Sequence, residues 1–284
     1  MMKTLRLRLV ILVILLLGAA FSVYAASRED RGGILTVAFL DIGQGDAIFI
    51  DAPSGNQMLI DGGPGKSVLR ELSKVMPFYD RSIDVVIATH ADQDHVGGLP
   101  NVLKNYKVNI FMEPGLSGPS SSYEELEKMV GNNKSNIKKI LARRGMVVDL
   151  GDGAILQILF PVIDSPGTNT NMSSIVAKLV YGENEFMLTG DSPIAIEDYL
   201  VSLGGLQSDV LKAGHHGSKT SSSDEFVRAV APQHTVISAG KNNRYTHPHQ
   251  EVLDILNNFG IKILRTDELG IIVFKSDGTN LKLK

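Results

Sequence analysis

Apolar residues fall along this chain in short runs broken by turns rich in glycine and aspartate, with stretches of helical period set between the runs. The runs at 34–40, 48–50, 58–60, 83–88 and 108–112 have the length of buried strands. Between them, 67–76 places Val68, Leu69, Leu72, Val75 and Met76 at the i, i+3, i+4 spacing of a helix packed on a sheet. A second helix is predicted over 99–106, with Pro100 in its first turn. Segment 120–145 predicts a helical pair: Ser122 caps the first member, Glu124, Glu125 and Glu127 favour its start, and Gly131 closes it. Its second member carries Lys138, Lys139, Arg143 and Arg144, a basic face that is either simply solvated or a rim for phosphate. Further on, 146–150 and 154–160 form a hairpin through Gly151-Asp152-Gly153, and 161–172 reads as a loop. Strands at 174–180, 186–188, 209–213, 234–239, 261–264, 271–274 and 281–283 then alternate with helices at 194–203, 224–230 and 251–259.

The first segment has a different character. Lys3, Arg6 and Arg8 precede an unbroken apolar run over 9–17, followed by small residues and Val23-Tyr24-Ala25-Ala26. That order predicts a secretory signal over 1–26, leading through a polar, glycine-bearing linker at 27–33 into one body at 34–284. The run is short of the ~20 residues that span a bilayer, so cleavage is the first expectation. Retention of residues 9–26 as an N-terminal membrane anchor is the alternative, and either places the body outside the cytoplasm.

Charge and composition narrow the options. Residues 1–26 hold three cations and no anion, so without them the formal charge moves from −3 to −6. An acidic body does not wrap a polyanion broadly, and any nucleic-acid contact must use local patches. The chain has no Cys, which excludes disulfide partners and thiolate metal sites and leaves His and oxygen donors as the only ligands.

Candidate chemistry is concentrated after the strand at 83–88, in Thr89-His90-Ala91-Asp92-Gln93-Asp94-His95. Four metal-binding side chains within six residues carry a cost in desolvation and like-charge repulsion that a cation removes. Other strand ends carry matching groups. Asp41-Ile42-Gly43-Gln44-Gly45-Asp46-Ala47 follows the first strand, although these residues alone also fit an ordinary hairpin turn. Asp61 ends the strand at 58–60, and Asp191 follows the strand at 186–188, where it either caps a helix or binds metal. Gly214-His215-His216-Gly217-Ser218-Lys219 follows the strand at 209–213, with glycines that let backbone approach a ligand. Lys241, Asn243, Arg244, Tyr245, His247 and His249 gather before the helix at 251–259. Six of the seven His lie in three loops; His234 stands apart and is assigned to structure, and His249 to solvent.

The His-x-Asp-x-Asp-His spacing resembles the His-x-His-x-Asp-His signature of the metallo-β-lactamase superfamily, with Asp92 in place of the second His. Together with the 41–47 turn, Asn171-x-x-Ser174, His215-His216-Gly217-Ser218 and Asn243-Arg244-x-x-His247-Pro248, it resembles the C-terminal hydrolase domain of the ComEC DNA-uptake (competence) protein and its free-standing relatives. The resemblance implies an α/β αββα sandwich, two mixed β-sheets with helices on the outer faces, built from two similar β-rich halves. It implies two divalent metal ions, Zn or Mn, held by His90, Asp92, Asp94, His95, Asp191 and His216. Loss of a third His near Asn171 leaves an oxygen-rich site that brings Mn²⁺ alongside Zn²⁺. Asp94, His215, Arg244 and His247 are expected to act in catalysis, with His216 favoured over His215 as the ligand. Asp41, Gln44, Asp46, Asp61, Asn171, Ser218 and Lys219 are expected to support the ligands or face the substrate. The leading expectation is an exported phosphodiesterase or nuclease acting on DNA. The alternatives are a hydrolase of another exported ester, such as a phosphorylcholine ester or a lactone, and a non-catalytic metal- or DNA-binding module.

Overall fold

The computed structural model describes residues 2–27, 32–132, 136–162 and 169–284, with the side chains of 6–22 in the first helix. Strands β1 (Leu35–Phe39), β2 (Ile48–Asp51) and β3 (Gln57–Ile60) form an antiparallel meander, which β4 (Ser82–Ile87), β5 (Lys107–Glu113) and β6 (Lys138–Leu141) extend in parallel. The chain then repeats that plan. Strands β7 (Val147–Gly151), β8 (Ala154–Phe160), β9 (Val176–Tyr181) and β10 (Asn184–Leu188) are antiparallel, and β11 (Val210–Lys212), β12 (His234–Ile237) and β13 (Lys262–Arg265) follow in parallel. Finally β14 (Ile272–Ser276) and β15 (Leu281–Leu283) return to the first sheet beside β1. The sheet orders are β15-β14-β1-β2-β3-β4-β5-β6 and β13-β12-β11-β10-β9-β8-β7.

The helices are α1 (Met2–Ser27), α2 (Ser67–Val75), α3 (Gln93–Val96), α4 (Leu99–Asn105), α5 (Ser121–Val130), α6 (Ile194–Leu203), α7 (Asp224–Val230), α8 (Gln250–Asn258) and α9 (Thr266–Leu269). Parallel strands need a crossover between them, and α2 to α8 supply it. Three apolar layers result. Leu35, Val37, Phe39 and Ile50 of the first sheet meet Leu156, Leu179, Phe186 and Val210 of the second. On the outer faces, Val68 and Leu72 of α2, Val102 of α4 and Leu126 of α5 cover the first sheet, while Leu200 of α6, Phe226 of α7 and Leu256 of α8 cover the second. This is the expected αββα sandwich: the long apolar runs are the strands that both layers bury. Helix α1 exposes Leu9, Ile14, Leu16 and Phe21 on all sides, and among the described residues no helix is long and apolar enough to cross a membrane.

The predicted helical pair at 120–145 is corrected. Among the described residues of that segment only α5 is helical; it is capped by Ser120, whose Oγ accepts from Tyr123 N–H, rather than by Ser122, and it ends at Gly131 as expected. Lys138 and Lys139 fall on β6, the edge strand parallel to β5, and Arg143 and Arg144 follow it. Lys139 Nζ pairs with Glu113 at 2.7 Å and Glu127 at 2.6 Å, so the basic face is partly spent on the fold. Edge strands favour Lys because a charged side chain there opposes pairing with another chain. The predicted loop at 161–172 lies partly outside the described residues and ends in a 3-10 turn at Thr170–Ser173.

Candidate metal centre

Each candidate side chain hangs from the loop that follows a strand, all at one end of the sandwich, where loops can converge without breaking the ladders. Asp61 follows β3, His90 to His95 follow β4, Asp191 follows β10, and His215 and His216 follow β11. Close packing of these loops requires glycine. At Gly45 (φ 125°) an added Cβ would stand 2.0 Å from Asp94 O, and at Gly217 (φ 79°) 2.6 Å from Pro248 Cβ.

Asp61 holds the first motif in place. It accepts from Thr89 N–H at 2.8 Å and from the Thr89 hydroxyl at 2.7 Å, and His95 Nδ1 donates to it at 2.8 Å. Because the Thr89 hydroxyl spends its proton on Asp61, its oxygen accepts from His90 Nδ1 at 3.0 Å. Both imidazoles therefore turn Nε2 toward the site. His216 is treated likewise: its Nδ1 donates to Ser238 O at 3.0 Å. Asp61, His215 and His216 all take left-handed backbone angles (φ 60°, 47° and 56°). Such strain costs about 1–2 kcal/mol per residue and is a mark of functional sites.

The inward atoms converge. Asp46, His95, Asp191 and His216, all buried, each offer a ligand atom within 4.8 Å of the others. His95 Nε2 lies 3.3 Å from His216 Nε2 and 3.3 Å from Asp191 Oδ1. Asp191 Oδ2 is 3.5 Å from His216, 3.6 Å from His215 Nε2 and 3.8 Å from His90 Nε2, so this carboxylate lies between the His90 side and the His95–His216 side. Asp94 Oδ2 is 3.4 Å from His216 Nε2, and Asp92 Oδ2 is 3.7 Å from His90 Nε2. The other oxygen of Asp92 accepts from Thr170.

Electrostatics explain the cluster. Burial alone would raise the carboxyls, but His216 and His95 hold Asp191 well below the usual range and Asp94 near about 2. Asp46 is held low by Lys212 and His216 against its burial. In turn, Asp191 and Asp61 raise His95 well above the usual imidazole range despite burial, and Asp191 and Asp46 raise His216 to about 9. His90 goes the other way, to about 4, through burial and then His95. Ionised carboxylates thus collect protons on the imidazoles, the arrangement that metal binding replaces. Asp191 Oδ1, Asp46 Oδ1 and His90 Nε2 are buried and lack a hydrogen-bond partner, so the donor set fits a divalent cation.

The remaining predicted residues divide. Gln44 Oε1 accepts from Gly240 N–H at 3.1 Å, and Gln44 lines a cavity of about 420 Å³ with Asp94, Asn243, Arg244 and Tyr245. His247 is buried, its ring 5.5 Å from that of His215. Asn171 sits on the 3-10 turn, its Oδ1 buried and unpartnered. Ser218 Oγ lies 3.0 Å from Thr220 Oγ1 within its own turn, the Lys219 side chain is exposed, and half-buried Asp41 is outside the converging group. His249 is half-buried rather than solvated, accepting from Lys219 N–H, and His234 packs edge-on to Phe274.

Lys212 was missed. It is fully buried at the end of β11, paired with Asp46 and 3.9 Å from Asp191 Oδ1. A charged residue closing an apolar run was the only signal for it, the same signal that marked Asp191.

A four-layer sandwich with such a cluster at the strand ends defines a metal-dependent hydrolase fold, and residues 40–241 match the family model of the metallo-beta-lactamase superfamily. The chain belongs to that superfamily. Among curated proteins it is similar to ComE operon protein 3 of Bacillus subtilis (35% identical over 257 residues, 84% of this chain and 33% of that one) and to competence protein ComA of Neisseria gonorrhoeae (30%, 92% and 35%). Recombination protein 2 of Haemophilus influenzae is 30% identical over 78% of this chain and 26% of its own length. These are the ComEC-type relatives that the motifs resemble, and the chain spans about a third of the length of the first two. In fold it is similar to Igni18, a metallo hydrolase of Ignicoccus hospitalis (TM-score 0.54, 16% identical, 84% of this chain and 98% of that one). It is likewise similar to a metal-dependent hydrolase of the beta-lactamase superfamily, Tm1679 (0.52, 15%, 81% and 95%).

Proposed function

We propose that this chain is an exported, metal-dependent phosphodiesterase that cleaves DNA. The observation that carries the substrate class is the rim beside Asp94. The Arg244 guanidinium lies over the Tyr245 ring at 4.7 Å, exposed on the wall of the 420 Å³ cavity that Asp94 also lines. An exposed, preorganised guanidinium next to a metal centre suits the paired oxygens of a phosphate better than a neutral ester. One relative is named for competence and another for recombination, both processes that act on DNA.

In this reading His90, Asp92, Asp94, His95, Asp191 and His216 would hold two divalent ions, Zn or Mn. When bound, such ions polarise phosphoryl oxygens and activate water. Arg244 grips the non-bridging oxygens. His247, lowered to about 4 first by burial and then by His215, is neutral near pH 7 and offers an N–H or a lone pair to the reacting oxygens. His215, partly exposed where His216 is buried, stands on the substrate side. Export rests on Lys3, Arg6 and Arg8 at the start of α1, ahead of its exposed apolar run from Leu9. Segment 1–26 acts as signal or anchor, 27–33 as linker and 34–284 as the hydrolase. Metal-free protein, given Mn²⁺, Zn²⁺ or Mg²⁺ and labelled single- and double-stranded DNA, should cleave DNA only with a divalent ion; intact DNA under all three ions would sink the proposal.

A further inference from the structure

Lys212 is the one Lys or Arg, among the described residues, paired with a carboxylate of the site. Its ammonium is fully buried, meets Asp46 Oδ2, donates to Gly190 O at 3.2 Å and lies 3.9 Å from Asp191 Oδ1. Around it Asp46, Asp61 and Asp191 are buried and Asp94 is largely so. Several carboxylates taken out of water together are costly unless cations accompany them. Lys212 cannot swing away, because the strand end and the Gly190 carbonyl fix it against the turn that carries Asp191.

We infer that Lys212 is a resident cation that lets the site fold before metal arrives and, by the same charge, holds its metal affinity down. Two observations give the second half. A fixed ammonium repels a dication bound a few ångström away. Lys212 also engages Asp46 Oδ2, although Asp46 belongs to the group able to converge on an ion, and leaves Asp46 Oδ1 without a partner. Removing Lys212 therefore takes away a repulsion and frees Asp46 as a ligand. The inference rests on the metal-centre reading but not on the substrate, so a protein that binds metal and leaves DNA intact does not touch it.

The test compares full-length parent and Lys212→Met in metal-free form, by thermal unfolding and by titration with Mn²⁺ and with Zn²⁺ against a chelating dye. The metal-free variant should unfold at lower temperature, yet bind Mn²⁺ at least about tenfold more tightly, widening the gap between its metal-free and metal-saturated unfolding temperatures. An ordinary core ion pair would lower stability and leave affinity unchanged or weaker, and that result overturns the inference. Should Lys212→Met fail to fold, the pair is removed as a neutral unit in Lys212→Met with Asp46→Asn. That double variant should bind metal more tightly than Asp46→Asn alone; equal or weaker binding overturns the inference, as does a parent that takes up neither ion.

Discussion

The floor of the site and its rim are made of the same side chains, imidazole, carboxylate and cation, but are held differently. On the floor Asp46, Asp61, His95, Asp191, Lys212 and His216 are buried and restrain one another: Asp61 alone fixes Thr89 and His95, and Ser238 fixes His216. On the rim the Asn243 side chain braces the loop, its Oδ1 accepting from Tyr245 and His247 N–H, and leaves Arg244 and Tyr245 in solvent. Where side chains restrain each other, one change disturbs several positions and the charge balance. Where one side chain grips only the backbone of the loop, the neighbouring side chains can change alone. Floor substitutions should therefore alter metal content and stability, and rim substitutions rates only.

The largest effect belongs to Asp191→Asn. A neutral amide cannot serve cations on both sides, so metal content by elemental analysis should drop and the rate fall by roughly 10³-fold, the scale of several kcal/mol. Full metal content in that variant would move the centre elsewhere. Asp61→Asn keeps a residue type that tolerates the left-handed angle but weakens the grip on the imidazoles. Metal affinity should fall about 10- to 100-fold in a titration, and unchanged affinity would show that His90 and His95 hold themselves. His247→Ala tests the boundary between floor and rim: metal content should stay at the parent's level while the rate drops on the order of 10²-fold. Loss of metal would make His247 a floor residue. Arg244→Lys should raise KM for DNA by about tenfold, because an ammonium cannot reproduce the two-pronged contact; steady-state kinetics read this. Lys219→Ala removes only an exposed side chain and should leave both kinetics and metal binding within about twofold, the usual scale of surface changes.

Much of this was legible in order along the chain because a strand end is a sequence-local event. An apolar run that stops at an acid or imidazole marks a buried strand delivering a group to the rim of a sheet, as at Asp61, His90, Asp191 and His216. The run ending in Lys212 carries the same mark, yet a lone Lys has no partner in its neighbourhood of sequence; Asp46 lies in the other half of the fold. At 138–144 the basic spacing suited a solvated helix equally well, and only the vacant edge of β5 turned 138–141 into a strand.

The sequence by itself determined the alternation of strands and helices, the family, and the local crowding of His90, Asp92, Asp94 and His95, since period and spacing are properties of a few consecutive residues. Only the tertiary structure decided that Asp191 lies between two groups of imidazoles, that Asp46 joins them, and that Lys212 is buried against both acids. Those are distances between residues far apart in the chain, set by how two sheets pack, and no local pattern encodes them.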